Sequence, residues 1–441
     1  MNKDRKIGKD LLRVVLLLLL LWALNGLLPA RLVRAASWVV TKTEDTDDAK
    51  CDSDCSLREA IAVAQDGDVI RFSPDLLDKT LTLTLDELLI EKNLTIVGLG
   101  ASRLAISGGD EFRVLHIGSE ADANISGLTV EKGYIEVPIN ENGGGGILNE
   151  GNLVLDGMAI TNNRAIDGGG GSGLGGGIHH VGDNLLISNS TISSNTAEDG
   201  SRAGCLGGGI ESEGDLQLFN VTISSNRGLE HGGQCWGGGL DLAAGDLEMT
   251  YVTIVNNSIV KESGAVFGGG LYLSDHATIR NSIIAGNIAD NESDNCDATI
   301  PPTSGGYNLE DENSCGLATA TDLQNVNPQL GTLQDNGGPT FTHALLQNSP
   351  AIDRISKGEN SCIAGETIDQ RGAARAAGDN RGGPSCDVGA YEYASTQQPA
   401  AVTFADLGAV ESNAWMGWLG LGVGVAGIVV LLAVLVTRRL R

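Results

Sequence analysis

Gly207-Gly208-Gly209-Ile210, then Leu216-Gln217-Leu218, then Ile223-Ser224-Ser225-Asn226, is one copy of a pattern that occurs five times between Gly143 and Asn287. Aligning the Gly runs puts Ile147, Ile178, Ile210, Leu240 and Leu271 in one column, at steps of 31, 32, 30 and 31 residues. Sixteen or seventeen residues later stand Asn163, Asn195, Asn226, Asn257 and Asn287, each preceded at three residues by Ile160, Ile192, Ile223, Ile254 or Ile284. Two more columns hold Leu153, Leu185, Leu216, Leu247 and Ala277, then Leu155, Ile187, Leu218, Met249 and Ile279. A period between about 20 and 50 residues marks a solenoid or an array.

The local pattern selects the kind of solenoid. Leu247-Glu248-Met249-Thr250-Tyr251 alternates apolar with polar, the mark of a short strand with one buried face. No segment keeps a helical period, and Gly runs interrupt each unit where a leucine-rich or ankyrin repeat places its helix. The Ile-x-x-Asn ending is shared with leucine-rich repeats, but Ser190 and Ser282 occupy a position that such a repeat needs to be apolar. The pattern predicts an all-β parallel β-helix, one coil per unit, with each apolar column stacked roughly 4.8 Å apart inside. The Asn column belongs at a turn, its amides bonding along the ladder and satisfying backbone groups.

Composition agrees: of 441 residues 62 are Gly and only 4% aromatic, as turns and stacked aliphatics require. Residues 1–35 read as an export signal: Lys3, Arg5, Lys6, Lys9 and Arg13 precede the apolar run Val14 to Leu24, and Val33-Arg34-Ala35 resembles a cleavage site. An uncleaved anchor is the alternative. At the other end Trp415 to Thr437 is uncharged and long enough, about 33 Å as a helix, to cross a bilayer. Arg438, Arg439 and Arg441 then keep residues 438–441 in the cytoplasm, and Trp415 and Trp418 suit an interfacial belt. The expected partner of residues 413–437 is thus a membrane, reached through a Gln/Pro/Ala stalk at 394–412; no Leu-Pro-x-Thr-Gly sorting motif is present. Without the signal and tail, 19 basic residues face 54 acidic ones, a net charge near −35, which argues against nucleic acid as a partner.

All eight cysteines lie in the exported part, as an oxidising compartment favours. Cys205 and Cys235 each precede the Gly-run Ile or Leu by five residues, so they stack on adjacent rungs within disulfide reach. The other six pair most simply with their neighbours (Cys51 with Cys55, Cys296 with Cys315, Cys362 with Cys386), although six cysteines allow fifteen connectivities.

Before the repeats, Ser37 to Thr43 reads as a strand, and Ser56 with Glu59 forms the S-x-x-E of a capping box opening a short helix through Val63. Such a helix covers the open end of a solenoid. Cys55-Ser56-Leu57-Arg58-Glu59-Ala60 matches letter for letter the signature of the CSLREA domain of bacterial surface β-helix proteins. That resemblance implies that residues 36–75 begin a right-handed helix of the pectate-lyase-like type. Strands at Leu81–Leu85, Leu94–Gly98, Val114–Ile117 and Ile125–Val130 continue it, within a β-helix region placed at 76–300. The Gly-Gly-Gly-Ile and Ile-x-x-Asn pair is also similar to repeats of polymorphic outer-membrane adhesins, with Ile replacing their Phe and no autotransporter barrel following.

A second resemblance covers residues 301–393. Asn327-Pro328-Gln329-Leu330-Gly331, Asp335-Asn336-Gly337-Gly338-Pro339-Thr340, Ser349-Pro350-Ala351-Ile352-Asp353, Asp369-Gln370-Arg371-Gly372 and Cys386-Asp387-Val388-Gly389-Ala390-Tyr391-Glu392 follow the choice-of-anchor Q pattern in order. The resemblance implies a segment between a surface β-helix and its membrane or wall anchor.

The outward columns carry the candidate chemistry. One residue past each Gly-run Ile or Leu lie Leu148, His179, Glu211, Asp241 and Tyr272. Stacking puts Glu211 and Asp241 one rung apart, near the roughly 5–5.5 Å of a retaining glycosidase pair, with His179 and Tyr272 flanking. Against an acid and nucleophile stands a solvated polar face. Four residues before each Ile or Leu come Leu174, Leu206, Trp236 and Phe267; Trp236 over Phe267 offers a platform for sugar rings or a cell-surface ligand, or pins the long loops to the coil. Asp45, Asp47, Asp48, Asp52 and Asp54 are open to Ca²⁺ but match no EF-hand spacing. Asn93, Asn124, Asn189, Asn220, Asn256 and Asn291 head glycosylation-like tripeptides, several of which recur with the repeat. No phosphate-loop Lys follows the Gly runs, and no other cofactor, zinc or Ser-His-Asp constellation emerges. The combined expectation is an exported, membrane-anchored β-helix with an adhesive or structural binding role, the alternative being a polysaccharide lyase or glycoside hydrolase.

Overall fold

The computed structural model describes residues 35–137, 142–169, 171–200, 203–363, 367–375 and 385–393. The expected signal at 1–35 falls almost wholly outside them, and the stalk and anchor at 394–437 fall wholly outside. Among the described residues no helix is long and apolar enough to cross a membrane.

A full coil of the repeat region turns through five short strands. In one coil these are Cys205–Leu206 (sheet I), Ile210–Ser212 (sheet II), Asp215–Phe219 (sheet III), Thr222–Ser224 (sheet IV) and Arg227–Leu229 (sheet V). Stacking the coils builds sheets of four, eight, ten, nine and seven strands, respectively. Pairing is parallel apart from the Ile288–Ala289 and Glu292–Ser293 hairpin that closes sheet V. The winding is right-handed, as nearly all parallel β crossovers are.

Register follows the columns: Ile210 pairs with Leu240, Leu216 with Leu247 and Ile223 with Ile254. Ile210, Leu216, Leu218, Val221 and Ile223 of one coil are buried, each contributing about 1.5–3 kcal/mol by leaving water. The Asn ladder forms at the turn from sheet IV to sheet V. Asn195 Nδ2 donates to Asn226 Oδ1 at 3.0 Å and to Ile160 O at 2.9 Å, and Asn226 repeats this with Asn257 and Ile192. Asn295, off the repeat in sequence, extends the ladder by accepting from Asn287. The bend from sheet III to sheet IV has a left-handed column, Asn189 (φ 49°), Asn220 (φ 55°), Tyr251 (φ 57°) and Asn281 (φ 53°). Asn tolerates that conformation, so the recurring tripeptides have a backbone reason.

The first coil carries the cap. Between Ser37–Val40 and Val69–Phe72, the first two strands of sheet III, lies the helix α1 (Leu57–Val63). Ser56 and Glu59 complete the capping box, and Leu57, Ala60 and Ile61 close the end of the core. Arg58 ion-pairs with Asp45, and the Lys92 ammonium donates to the carbonyls of Ile61, Ala62 and Ala64 at the helix end. The expected strand to Thr43 ends at Val40, where the chain turns to bring Thr41 N–H to Cys55 O.

The far boundary needs correction. Thr303–Gly306 joins sheet III and Leu309–Glu310 joins sheet IV, so the solenoid continues past residue 300 through Glu310. The described residues of the following segment, 326–363, 367–375 and 385–393, lie over the outer face of sheet IV as a strap. Val255, Ile283, Leu345, Ile355, Val388 and Tyr391 form a second apolar core there. Disulfides join Cys51 to Cys55, Cys205 to Cys235, Cys296 to Cys315 and Cys362 to Cys386.

Candidate functional site

In the four coils that have a sheet I strand, sheets I and II are joined by a Gly run whose first residue is left-handed: Gly175 (φ 57°), Gly207 (φ 59°), Gly237 (φ 61°) and Gly268 (φ 67°). A Cβ on Gly207 would lie 2.0 Å from Ile210 O, so only Gly permits this fold-back. The outward columns of sheets I and II therefore face one another across a concave corner. Phe267 and Tyr272 of one coil lie 6.2 Å apart, Trp236 of the coil below is stacked 6.2 Å from Phe267, and Trp236 lies 6.3 Å from Tyr272. All three rings are half-buried.

This corner joins what the sequence presented as two separate columns. It also corrects the picture of a solvated face: His179 is 0%, Glu211 1% and Asp241 2% exposed. Tyr272 remains half-buried, its hydroxyl 3.4 Å from Thr299 Oγ1. Register places Asp241 between Glu211 and Tyr272, with Asp297 beyond. By the same register Asp241 sits opposite Trp236 as Tyr272 does opposite Phe267.

His179 Nε2 lies 2.5 Å from Glu211 Oε2 and 3.7 Å from Glu213 Oε1. Glu213, with a 52% exposed side chain, was not singled out in the sequence, although it follows Glu211 by two residues. Burial lowers the His179 pKa, but the Glu211 and Glu213 carboxylates outweigh it and hold the ring up, at about 9. The Gly143 N–H opposes full protonation: it donates to Nδ1 at 2.9 Å, a bond that a proton on Nδ1 would destroy. We take the ring as neutral while that bond holds, its proton on Nε2 between the carboxylates. Burial raises the Glu211 carboxyl, and burial with the charges of Glu211 and Glu213 raises Asp241 well above the usual range.

Ligand atoms of His179, Glu211 and Glu213 come within 4.8 Å of one another, as a metal site requires. The tautomer does not fit one. A ligating Nε2 must be proton-free, which moves the proton to Nδ1 and against the Gly143 N–H. The N–H at Nε2 thus faces these carboxylates as a donor, in the place a metal would take.

Two other polar groups went unrecognised. His116 precedes Leu148 in the His179 column, with Nδ1 2.8 Å from Glu87 and Nε2 3.1 Å from Glu150. Arg113 completes the network with Glu87 at 2.7 Å. Extending the column by one more step backward would have found His116. Inside the coil, Asn149 Nδ2 lies 2.8 Å from His180 Nδ1, and burial pushes His180 down to about 4, so it stays neutral. The acids of the 45–54 loop have internal tasks: Asp45 holds Arg58, Asp54 holds Lys42, and Asp47, Asp48 and Asp52 accept backbone N–H groups two residues on.

No protein-family model matches the chain, and no curated protein matches it. Among solved structures, the crystal structure of pectate lyase Pel9A is similar, at 12% identity and a TM-score of 0.40, covering 82% of this chain and 97% of that one.

Proposed function

We propose that this chain is an exported surface protein, tethered by the apolar segment at 413–437, that binds sugar polymers adhesively at the corner of sheets I and II. The observation that carries this reading is the half-buried cluster of Trp236, Phe267 and Tyr272, contributed by two successive coils. Flat ring faces repeated along a solenoid axis suit the repeating rings of a polysaccharide. Four disulfides favour an oxidising compartment outside the cytoplasm. The likeness of residues 55–60 and 326–393 to the CSLREA and choice-of-anchor Q patterns supports surface display.

Polysaccharide cleavage is the second reading, favoured by the convergence of His179, Glu211 and Glu213. Binding is preferred because the Glu211 carboxylate is buried and held by His179, and an acid or nucleophile must be free to touch the polymer it cleaves. The test incubates the full chain with neutral, acidic and amino polysaccharides, and measures both retention on the polymer and release of reducing ends. Retention lost in Trp236→Ala without new reducing ends supports binding. Turnover abolished in Glu211→Gln overturns it in favour of cleavage.

A further inference from the structure

The corner contains a group that a platform for neutral sugars does not need. Asp241 is 2% exposed, its Oδ1 has no partner, and its side chain makes no hydrogen bond among the described residues. Buried acceptors are ordinarily satisfied, so one left open beside a ligand surface marks where a donor is to arrive. Register puts this acceptor opposite Trp236 and next to Tyr272, whose other neighbour in the column is Asp297. Acids thus flank the rings along the column. The titratable groups facing Asp241 are Glu211 and Glu213, with His179 beyond them. Lys261, on the loop leading into sheet I, is held by Asp290 at 2.9 Å.

A carboxylate next to aromatic faces is the arrangement that recognises an ammonium group, which pairs its charge with the acid and lies over the rings. A hard divalent cation would instead need six to eight oxygens, and much of this corner is carbon. Building on the sugar-binding reading, we propose that the corner selects ligands bearing an ammonium group, its N–H donors directed to Asp241 and its cationic face to Trp236 and Tyr272. Two sources share this chemistry: a polymer of de-N-acetylated amino sugar and a quaternary ammonium head group, which lacks N–H donors and offers the charge alone. Burial and the neighbouring Glu211 and Glu213 charges raise the Asp241 carboxyl in the free protein, and an arriving ammonium opposes that rise.

Isothermal titration of the full chain tests this with a glucosamine hexamer, the same hexamer N-acetylated, polygalacturonate, choline and Ca²⁺ alone. The glucosamine hexamer is expected to bind at least ten-fold more tightly than its acetylated form. Asp241→Asn is expected to remove the ten-fold preference but keep the acetylated hexamer bound. Competition by choline would extend the same site to the head-group source, and its absence would confine the site to N–H-bearing amines and the amino-sugar source. Equal affinity for both hexamers, or a preference that survives Asp241→Asn, overturns the ammonium inference and leaves the ring platform standing. Failure of every sugar to bind defeats the sugar-binding reading itself. Ca²⁺ binding that depends on Asp241, without hexamer binding, would make the corner a cation site and overturn both.

Discussion

A carboxyl group that is 2% exposed and lacks a hydrogen-bond partner among the described residues destabilises the fold whenever it is ionised. Burial raises the Asp241 carboxyl well above the usual carboxylate range, so between the unfolded and folded pKa the native state holds the extra proton. Stability from this group is therefore full below the unfolded value and is lost as pH rises through the folded one. Glu211 is raised too, by burial, so its contribution has the same sign. Replacing Asp241 by Asn keeps the shape and removes the titration. The variant should match the parent near about pH 3 and exceed it by about 1–3 kcal/mol near pH 8, the cost of a buried unsatisfied polar group. Guanidinium midpoints across pH measure the gap. A gap that does not change with pH would mean that Asp241 does not titrate in the fold.

At the scale of the strand and turn, the Asn ladder couples one coil to the next. Asn226 Oδ1 accepts from both the backbone N–H and Nδ2 of Asn195, while its own Nδ2 donates to Ile192 O and Asn257 Oδ1. Asn226→Ala leaves two buried donors and a carbonyl without partners, for an expected loss of about 4 kcal/mol. Differential scanning calorimetry would register it, and an unchanged transition would show that water replaces the side chain. The ladder, the apolar columns and the Cys205–Cys235 pair were legible because a parallel solenoid puts each residue directly over its counterpart, so a column in the alignment is a column in space. The corner was not legible. Period-two alternation tells which side of sheet II Glu211 takes, but not that the fold-back at Gly207 makes that side concave and buries the acid. His116 escaped because the coils before Gly143 lack the Gly run that fixes register.

For the molecule as a whole, the least legible feature was where the 326–393 segment lies, since its partners are far away in sequence. Gln370 Nε2 donates to Thr191 Oγ1 at 2.8 Å, across 179 positions, and to Thr340 Oγ1 at 2.9 Å. Its Oε1 accepts from Thr222 Oγ1 at 2.6 Å, so one side chain spans two coils of sheet IV. Arg375 is buried beside it, donating to Asn220 Oδ1 and lying 3.9 Å over the Tyr251 ring. The Asp-Gln-Arg-Gly and Cys-Asp-Val-Gly motifs are thus fastenings of the strap, Gly389 N–H reaching Asn281 O and Ala390 N–H reaching Thr253 Oγ1. Beneath them the sheet IV coils keep their own ladder and apolar stack, which gives the strap and the coils separable stabilities. Gln370→Leu leaves the Thr222 hydroxyl without its acceptor and takes a donor from Thr191 and Thr340, and should loosen the strap first. Hydrogen exchange is expected to quicken at least ten-fold in residues 367–375 and 385–393, while the amides of Asn195 and Asn226 keep their protection. Equal loss of protection in the strap and the Asn ladder would show instead that the two unfold as one, and that the solenoid depends on its cover.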